Sequence, residues 1–501
     1  MEHSAQTVCD RLSEMVSDRV PHEDTWRECY DYSFPSRGAG FNGEIIDAAT
    51  ATAKKAEILD GVSTDAGNTL AASLQGGLTP SNALWADLYV GENDTDEDAR
   101  WLGDAARTMW QLIHASNFDA EALEAQLDMV SAGWFVMFIG EGPEGGYQFE
   151  TWPLSECYVA SSTPGGPIDI VYRCYSPTAQ QVVAEHGTKV SQTVQDIAAK
   201  KPLTKVKLVR AIYPRRVYDP RAVMGRNMRF ASITVEKDTK TVLNESGFPE
   251  QPFVAPRWAR LPGSPYALGP MADALPDCRE LNDLTFLEKS AVEMNLAPPL
   301  VAEDDGVLNP RVVKIGPRKI IVANSVDSIK PLYDGANVNI GWTAKRDLQL
   351  AIRRTLMADM LEPQDGPART ATEVHARMQL IRQVLGPRYG RMQSEYLNPL
   401  VRRCFGLAYR AGVFGQAPES LQDRLINVRY LSPLARAQQL EEVSAVERLF
   451  ATAGQMAGVM PDILDNLDGD EAIRMNGRAL GAPNKVIRSA RDVAKLRKQR
   501  A

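Results

Sequence analysis

Catalysis and ligand capture need particular side chains at particular spacings, and histidine is the most versatile of them. This chain has five: His3, His22, His114, His186 and His375. None sits at metal-ligand spacing with a second histidine or a cysteine, and no H-E-x-x-H motif is present. His375, near Glu373 and Arg377 in a helical pattern, reads as part of a solvated helix face. A G-x-x-x-x-G-K-[ST] phosphate loop is missing, and so is a G-x-S-x-G nucleophile elbow. Gly38, Gly40 and Gly43 make a formal G-x-G-x-x-G match. A dinucleotide site needs that motif between a strand and a helix. Here it follows a helical pattern interrupted by Pro35, so it reads as a plain loop. The acidic run at 92–98, and Asp465, Asp468, Asp470 and Glu471, lack the ligand spacing of a calcium loop. Acids there suit the positive end of a helix instead. With 64 Asp and Glu, no single carboxylate pair is informative. The expectation is a protein that is not an enzyme and uses neither cofactor nor metal.

Composition narrows the class further. A chain of 501 residues exceeds one compact core and implies several parts. Apolar content of 44% and charged content of 24% are ordinary for folded protein. Six cysteines (Cys9, Cys29, Cys157, Cys174, Cys278, Cys404) are scattered without a CxxC pair, which reads as small buried thiols in a reducing compartment. The start, MEHSAQTVCDRLSEMV, has neither the basic region nor the apolar core of a secretion signal. No apolar run approaches the length of a membrane span. A net charge of −8 argues against tight general binding of DNA, which works by neutralising phosphates.

The elements that would carry a function are legible from periodicity. Val8, Leu12, Met15 and Val16 predict a helix over 4–19, with a second over 22–33. Helices follow at 45–76, 97–115 and 119–131. Between 133 and 260 the pattern turns to short β-rich runs, interrupted by one helix at about 177–200. Trp134, Trp152 and Trp258 there read as core anchors. A helix over 271–296 carries Leu275, Leu281, Leu284, Leu287, Ala291 and Met294. Residues 300–339 form a small β-rich unit in which Arg311, Lys314, Arg318, Lys319 and Lys330 alternate with valines and isoleucines. A helix over 341–361 carries Leu348, Ile352, Leu356 and Met360. The loop 362–370 holds Pro363, Gly366 and Pro367, which stop either neighbouring helix from continuing. Next comes one apolar stripe: Val374, Met378, Ile381, Leu385, Tyr389, Met392, Tyr396, Leu400, Cys404 and Leu407. It predicts a helix of roughly 40 residues and about 60 Å, bent at Gly386, Pro387 and Pro399. Residues past 413 read as mostly helical, with a basic tail from Lys485 to Arg500.

Several of these segments resemble one family. RTATEV and LGPRYGRMQSEYLNPLVRR on the long helix, residues 63–90, 118–140 and 257–296 together look like the portal, or head-to-tail connector, proteins of short-tailed, podovirus-type bacteriophages. The resemblance runs from about residue 10 to 412, with little signal beyond 415. It implies an elongated α+β subunit in seven parts. These are a wing (1–270, helical at first and β-rich over 133–260), a stem helix (271–296), a clip (297–340) and a second stem helix (341–361). A channel loop (362–370), a long kinked wing helix (371–412) and a helical crown (413–501) complete it. It implies a closed ring, a dodecamer, at one capsid vertex of the virion, built in the host cytoplasm. Double-stranded DNA would pass through it during packaging and ejection. Gln364, Asp365, Gly366 and Arg369 would face that DNA, Arg369 as the one cationic contact. The clip rim of Arg311, Lys314, Arg318, Lys319 and Lys330 would meet the packaging motor (terminase) and later the tail adaptor. Major capsid, scaffolding and internal core proteins are further implied partners, and a membrane is not. The competing readings are a non-channel capsid or tail-adaptor protein and a metal-dependent DNA-processing enzyme.

Overall fold

Helix α1 (Ala5–Tyr32) opens the fold and joins its parts. Ser4 caps it, accepting the Thr7 N–H at 3.1 Å. Its 28 residues span about 42 Å. The sequence suggested two helices here, but the helix runs unbroken through Pro21. A proline inside a helix removes one hydrogen bond and crowds the turn before it. The loss is met by a tertiary anchor at that turn. Buried Arg19 pairs with Glu23 at 2.6 Å and donates to the carbonyls of Leu154, Ser155 and Cys157 at 2.7–3.0 Å.

The computed structural model describes residues 4–38, 40–41, 48–90, 96–142, 145–219, 224–296, 300–302, 329–331, 338–361, 386, 388–421, 426–431, 446–456, 467–479, 493 and 497–499. After α1 come α2 (Ala48–Glu57) and α3 (Val62–Leu78). The single helix expected over 45–76 is therefore two. Asp60 accepts the Val62 N–H and Asn282 accepts the Leu59 N–H, which satisfies the broken turn from outside. Strand β1 (Ala86–Tyr89), α4 (Asp96–Ala115) and α5 (Phe118–Ser131) follow.

The β-rich part forms two antiparallel sheets. Strands β2 (Val136–Glu141) and β3 (Tyr147–Trp152) pair, and β9 (Phe253–Val254) joins on the other edge of β2. A five-stranded sheet runs in sequence order through β4 (Cys157–Ala160), β5 (Ile170–Tyr175), β6 (Leu208–Pro214), β7 (Phe230–Glu236) and β8 (Val242–Phe248). Alternation sorts its faces. Tyr172, Val209, Ala211, Ile233 and Val235 pack with Val8, Leu12 and Met15 of α1. Leu208 and Leu243 pack instead with α6 (Ala179–His186) and α7 (Gln192–Lys200). The one helix expected near 177–200 is this pair. Gly187 ends α6 at φ +59, and Ser191 caps α7 by accepting the Val194 N–H.

Short strands β10 (Ala259–Arg260) and β11 (Ala267–Leu268) lead into α8 (Pro270–Leu296). Strands β12 (Leu300–Ala302) and β13 (Ile329–Pro331) pair, and α9 (Val338–Thr355) and α10 (Ala358–Leu361) follow. The helix expected over 341–361 breaks at Met357, which is left-handed at φ 58. That conformation is disfavoured for a side chain of this size. The surrounding core holds it, because Ile352, Leu356, Met357 and Ala358 are all buried there. The last described elements are α11 (Asn398–Arg410), β14 (Asn427–Tyr430) and α12 (Gly469–Ala479). Strand β14 lies in a region expected to be mostly helical, beyond 413. It pairs antiparallel with β1, Ala86 opposite Tyr430, and four residues are too few for periodicity to announce.

The largest core gathers α3, α4, α5, α8, α9 and α11 through Leu70, Met109, Met129, Leu275, Ile352 and Leu400. A second is aromatic. Trp26, Trp134 and Tyr266 lie with ring centroids 5.2–5.5 Å apart, and Trp26 Nε1 donates to the Ala267 carbonyl at 3.1 Å. Gly133 at φ +86 permits the crossing beside it, since a Cβ there would overlap the Leu268 backbone. Trp134, Trp152 and Trp258 are all buried.

Candidate assembly surfaces

Helices α8 and α9 pack side by side as a hairpin. Glu288 meets Lys345 at 3.4 Å, and nearer the body Asn282 and Gln349 both reach the α2–α3 connection. The two helices therefore run antiparallel. Apolar residues recur along α8, but cover for them fails with distance from the body. Leu275 and Leu281 are buried, whereas Phe286 and Leu287 are 60% and 62% exposed. On α9, Trp342 is 68% exposed and Leu350 is exposed too.

The hairpin has two outward faces. At 100° per residue, Asp283 and Phe286 lie about 140° and 160° round α8 from Glu288, which faces α9. Leu350 and Arg354 lie about 140° and 180° round α9 from Lys345, which faces α8. The outward faces thus point to opposite sides. Their charges also differ. Helix α8 carries Asp273, Asp277, Glu280, Asp283, Glu288 and Glu293 against Arg279 and Lys289. Helix α9 carries Lys345, Arg346, Arg353 and Arg354 against Asp347. Asp283 is exposed on the outward side of α8 and Arg354 on that of α9, where exposed Asp347 lies too.

The helix that ends in α11 has a distinct local geometry. Its described part includes Gly386 and 388–392, then a π-helical turn, Gln393–Leu397, then α11. The π-turn lies immediately ahead of Pro399. Proline has no N–H for the carbonyl four residues back, and the Asn398 N–H donates five residues back to Gln393 instead. The irregularity expected at Pro399 is therefore a widened turn. Gly386 is helical, and Pro387 lies outside the described residues.

The widened turn aims Glu395 at the body. Its carboxylate takes the Arg257 backbone N–H and Nε at 3.1 Å and Nη2 at 2.8 Å. The same Nη2 donates to the Gly166 carbonyl at 2.8 Å. Further along, Arg403 donates to the Ile139 carbonyl at 3.3 Å and pairs with Glu250 at 3.0 Å. Tyr147 Oη donates to the Cys404 carbonyl at 2.9 Å. Burial pushes the Arg403 guanidinium below its ordinary range, with Glu250 opposing the shift. These contacts brace the helix against both sheets.

One cluster resembles catalytic machinery and is structural. His114 Nδ1 lies 2.9 Å from Asp119, and its Nε2 accepts the Trp85 indole N–H at 3.1 Å. Both ring nitrogens are engaged, so no lone pair remains to act as a base. Among the described residues no group of three or more His, Cys, Asp and Glu side chains could hold a metal ion, and no helix is long and apolar enough to cross a membrane. Cys29, Cys157, Cys278 and Cys404 are buried, and burial raises both Cys29 and Cys278 to about 12.

The site residues read from the sequence fall mostly elsewhere. Gln364, Asp365, Gly366 and Arg369 lie outside the described residues, as do Arg311, Lys314, Arg318 and Lys319. Lys330 sits in β13, opposite Val301 of β12. Sequence reasoning missed the outward faces of the hairpin. Phe286, Leu287 and Trp342 are large apolar residues of the kind that form cores, and the faces of the hairpin they occupy leave them uncovered.

Comparison with known proteins agrees with the sequence resemblance. The profile described as bacteriophage head to tail connecting protein matches residues 5–487, and the chain belongs to that family. The match continues past residue 415, where the residues themselves had given little signal. The chain is 28% identical over 510 residues to the probable portal protein of Bordetella phage BPP-1, covering 99% of this chain and 90% of that protein. It is 25% identical over 518 residues to the portal protein of Salmonella phage epsilon15, covering 100% of this chain and 92% of that protein. Among solved structures, a chain from the virion of a native gene transfer agent particle aligns over 86% of this chain and 94% of its own, at 12% identity and a TM-score of 0.36. That score is too low to carry an argument.

Proposed function

We propose that this chain is the portal subunit of a phage head: a structural protein that closes into a ring at one capsid vertex and conducts DNA in packaging and ejection. The observation that carries the reading is the family match along almost the whole chain, with relatives named portal proteins covered end to end. The α8–α9 hairpin supports the ring. An acidic and a basic face on opposite sides of one element suit a head-to-tail contact, in which each subunit offers different surfaces to its two neighbours. Exposed Phe286, Leu287 and Trp342 supply apolar area that such a contact would remove from water.

In this reading α8 and α9 are the stem, 297–340 the clip, and 362–370 the channel loop. Gln364, Asp365, Gly366 and Arg369 face the DNA, and one arginine per subunit makes a guide more than a clamp. Arg311, Lys314, Arg318, Lys319 and Lys330 form the rim that docks the packaging motor and then the tail adaptor. The ring is a dodecamer, and the subunit performs no catalysis itself.

Electron microscopy of the purified protein tests this directly. Top views should show closed rings of about twelve subunits around a hole at least as wide as duplex DNA. Monomers at every salt and protein concentration, or solid particles without a hole, would rule the reading out.

A further inference from the structure

Strands β6 and β7 are antiparallel neighbours, paired from Leu208–Glu236 to Pro214–Phe230. The connection between them is 215–229, far longer than the two to five residues typical of a hairpin loop. Connections of that length are commonly functional. The described residues of this one, 215–219 and 224–229, are tied to one another and to the sheet. Arg215 at its base is buried. Its backbone N–H donates to the Arg229 carbonyl at 2.8 Å. Its Nη1 donates to the carbonyls of Gly225 and Met228 at 2.9 Å, and Nη2 to that of Ser246 at 3.2 Å. The Asp219 N–H donates to the Asn227 carbonyl at 2.9 Å. Gly225 rests on Gly247 of β8, so closely that a Cβ on Gly225 would lie 2.8 Å from the Gly247 nitrogen.

What this frame presents is unusual for a free surface. Val217 is 88% exposed, Met224 75% and Tyr218 42%. Exposed Arg216, Arg226 and Arg229 are interleaved with them. The surrounding sequence is strongly cationic. Residues 186–240 hold thirteen Lys and Arg against four Asp and Glu, in a chain whose net charge is −8. Phosphate recognition needs the cations alone and leaves exposed valine and methionine without a role. A protein surface uses both kinds of residue. Arginine, methionine and tyrosine are enriched at protein interfaces. A guanidinium takes a carboxylate through two parallel hydrogen bonds. Residues already held by Arg215 also lose little entropy on binding.

We propose that the described residues 215–219 and 224–229 of the β6–β7 connection form a docking site for an acidic segment of another protein, one that also carries large apolar side chains. Val217, Tyr218 and Met224 cover the partner's apolar groups, and Arg216, Arg226 and Arg229 pair with its carboxylates. This does not depend on the ring, and it can be tested on the purified protein. The probes are three fluorescent ligands: a peptide of glutamate with leucine and phenylalanine, its lysine counterpart, and a short DNA duplex. Anisotropy titrations at physiological salt should show binding of the glutamate peptide alone. Arg216→Glu with Arg226→Glu should weaken it roughly tenfold or more, and so should Val217→Asp, with far-UV circular dichroism unchanged in each. The proposal is overturned if the duplex binds as tightly as the peptide, if no probe binds, or if both variants bind the peptide like the parent.

Discussion

The junction around Trp26 and the hairpin of α8 and α9 are built from the same kinds of residue and meet opposite fates. At the junction, Trp26, Trp134, Trp152 and Tyr266 are buried from three sides by α1, the β2–β3 pair and the β10–β11 segment. Every large apolar group there finds cover within its own chain. On the hairpin, Phe286, Leu287 and Trp342 keep more than half of their surface in water. The same contrast holds for charge. Arg257 and Glu395 bury each other, whereas Asp283 and Arg354 stay exposed on opposite sides of the hairpin. The junction is finished when the chain folds. In the proposed ring, a neighbouring subunit would complete the hairpin.

The largest effect should come from the junction's brace. Arg257→Ala leaves the Glu395 carboxylate buried without its partner, a change that costs about 3–5 kcal/mol. Denaturant titration should show the midpoint falling steeply. Arg257→Met combined with Glu395→Leu should recover most of the loss, because two apolar groups leave no orphan charge. A single variant with the parent's midpoint would mean that the ion pair does not hold the long helix to the body.

The hairpin should respond the other way round. Leu287→Asp with Trp342→Ser should abolish rings in sedimentation velocity and move the subunit's own stability by no more than about 0.5 kcal/mol, as exposed positions usually do. Arg346→Glu with Arg354→Glu should weaken ring closure most at low salt, where screening is least. Unfolding of the subunit in either variant would contradict the comparison, since it would make the hairpin's outer faces part of the intrachain core.

Acid should act on the junction first. Burial holds the His22 imidazole, packed between Trp26 and Tyr266, below its ordinary value of 6.5. A depressed folded value means the unfolded chain takes the proton more readily. The stability from this group is complete above about pH 6.5 and is lost as pH falls through the folded value. Glu150 works in the same direction lower down. Burial would raise it, but Arg173, at 2.6 Å, outweighs that and holds it below the usual carboxylate range. Its contribution is lost below about pH 4.3. Thermal melts from pH 8 to pH 4 should show the first loss, and His22→Gln should flatten it.

The smallest effect is chemical. Cys29 and Cys278, raised to about 12 by burial, carry almost no thiolate at pH 8. Iodoacetamide should modify the partly exposed Cys9 in the native protein and reach Cys29 and Cys278 only after denaturation. Prompt native labelling of Cys278 would show that the root of α8 opens.

Much of the architecture could be read from residue order. The period-3.6 faces of α1 and α8, the period-2 runs of the five-stranded sheet and the buried tryptophans all follow from local pattern. The failures share a cause. Pro21 should have ended a helix, and Arg19 reaching residues more than a hundred positions away kept it whole. Met357 should have stayed helical, and the core around it enforced a left-handed turn. Strand β14 has too few residues to show a period, and β1 supplies its partner. Each outcome was decided by a contact distant in sequence, which a local pattern does not contain.

The candidate surfaces divide in the same way. Residue order alone determined the family resemblance, the elements on either side of the loop at 362–370, and the missing phosphate-loop and nucleophile motifs. It also determined that Leu275, Leu281 and Leu287 belong to one helix. Only the tertiary structure decided that the first two are buried and the third is not. It also decided that Asp283 of α8 and Arg354 of α9 face opposite ways, and that Arg215 ties Gly225 and Met228 to the end of β6. The physical reason is that hydrophobicity and charge belong to a residue, whereas exposure belongs to its place among distant neighbours.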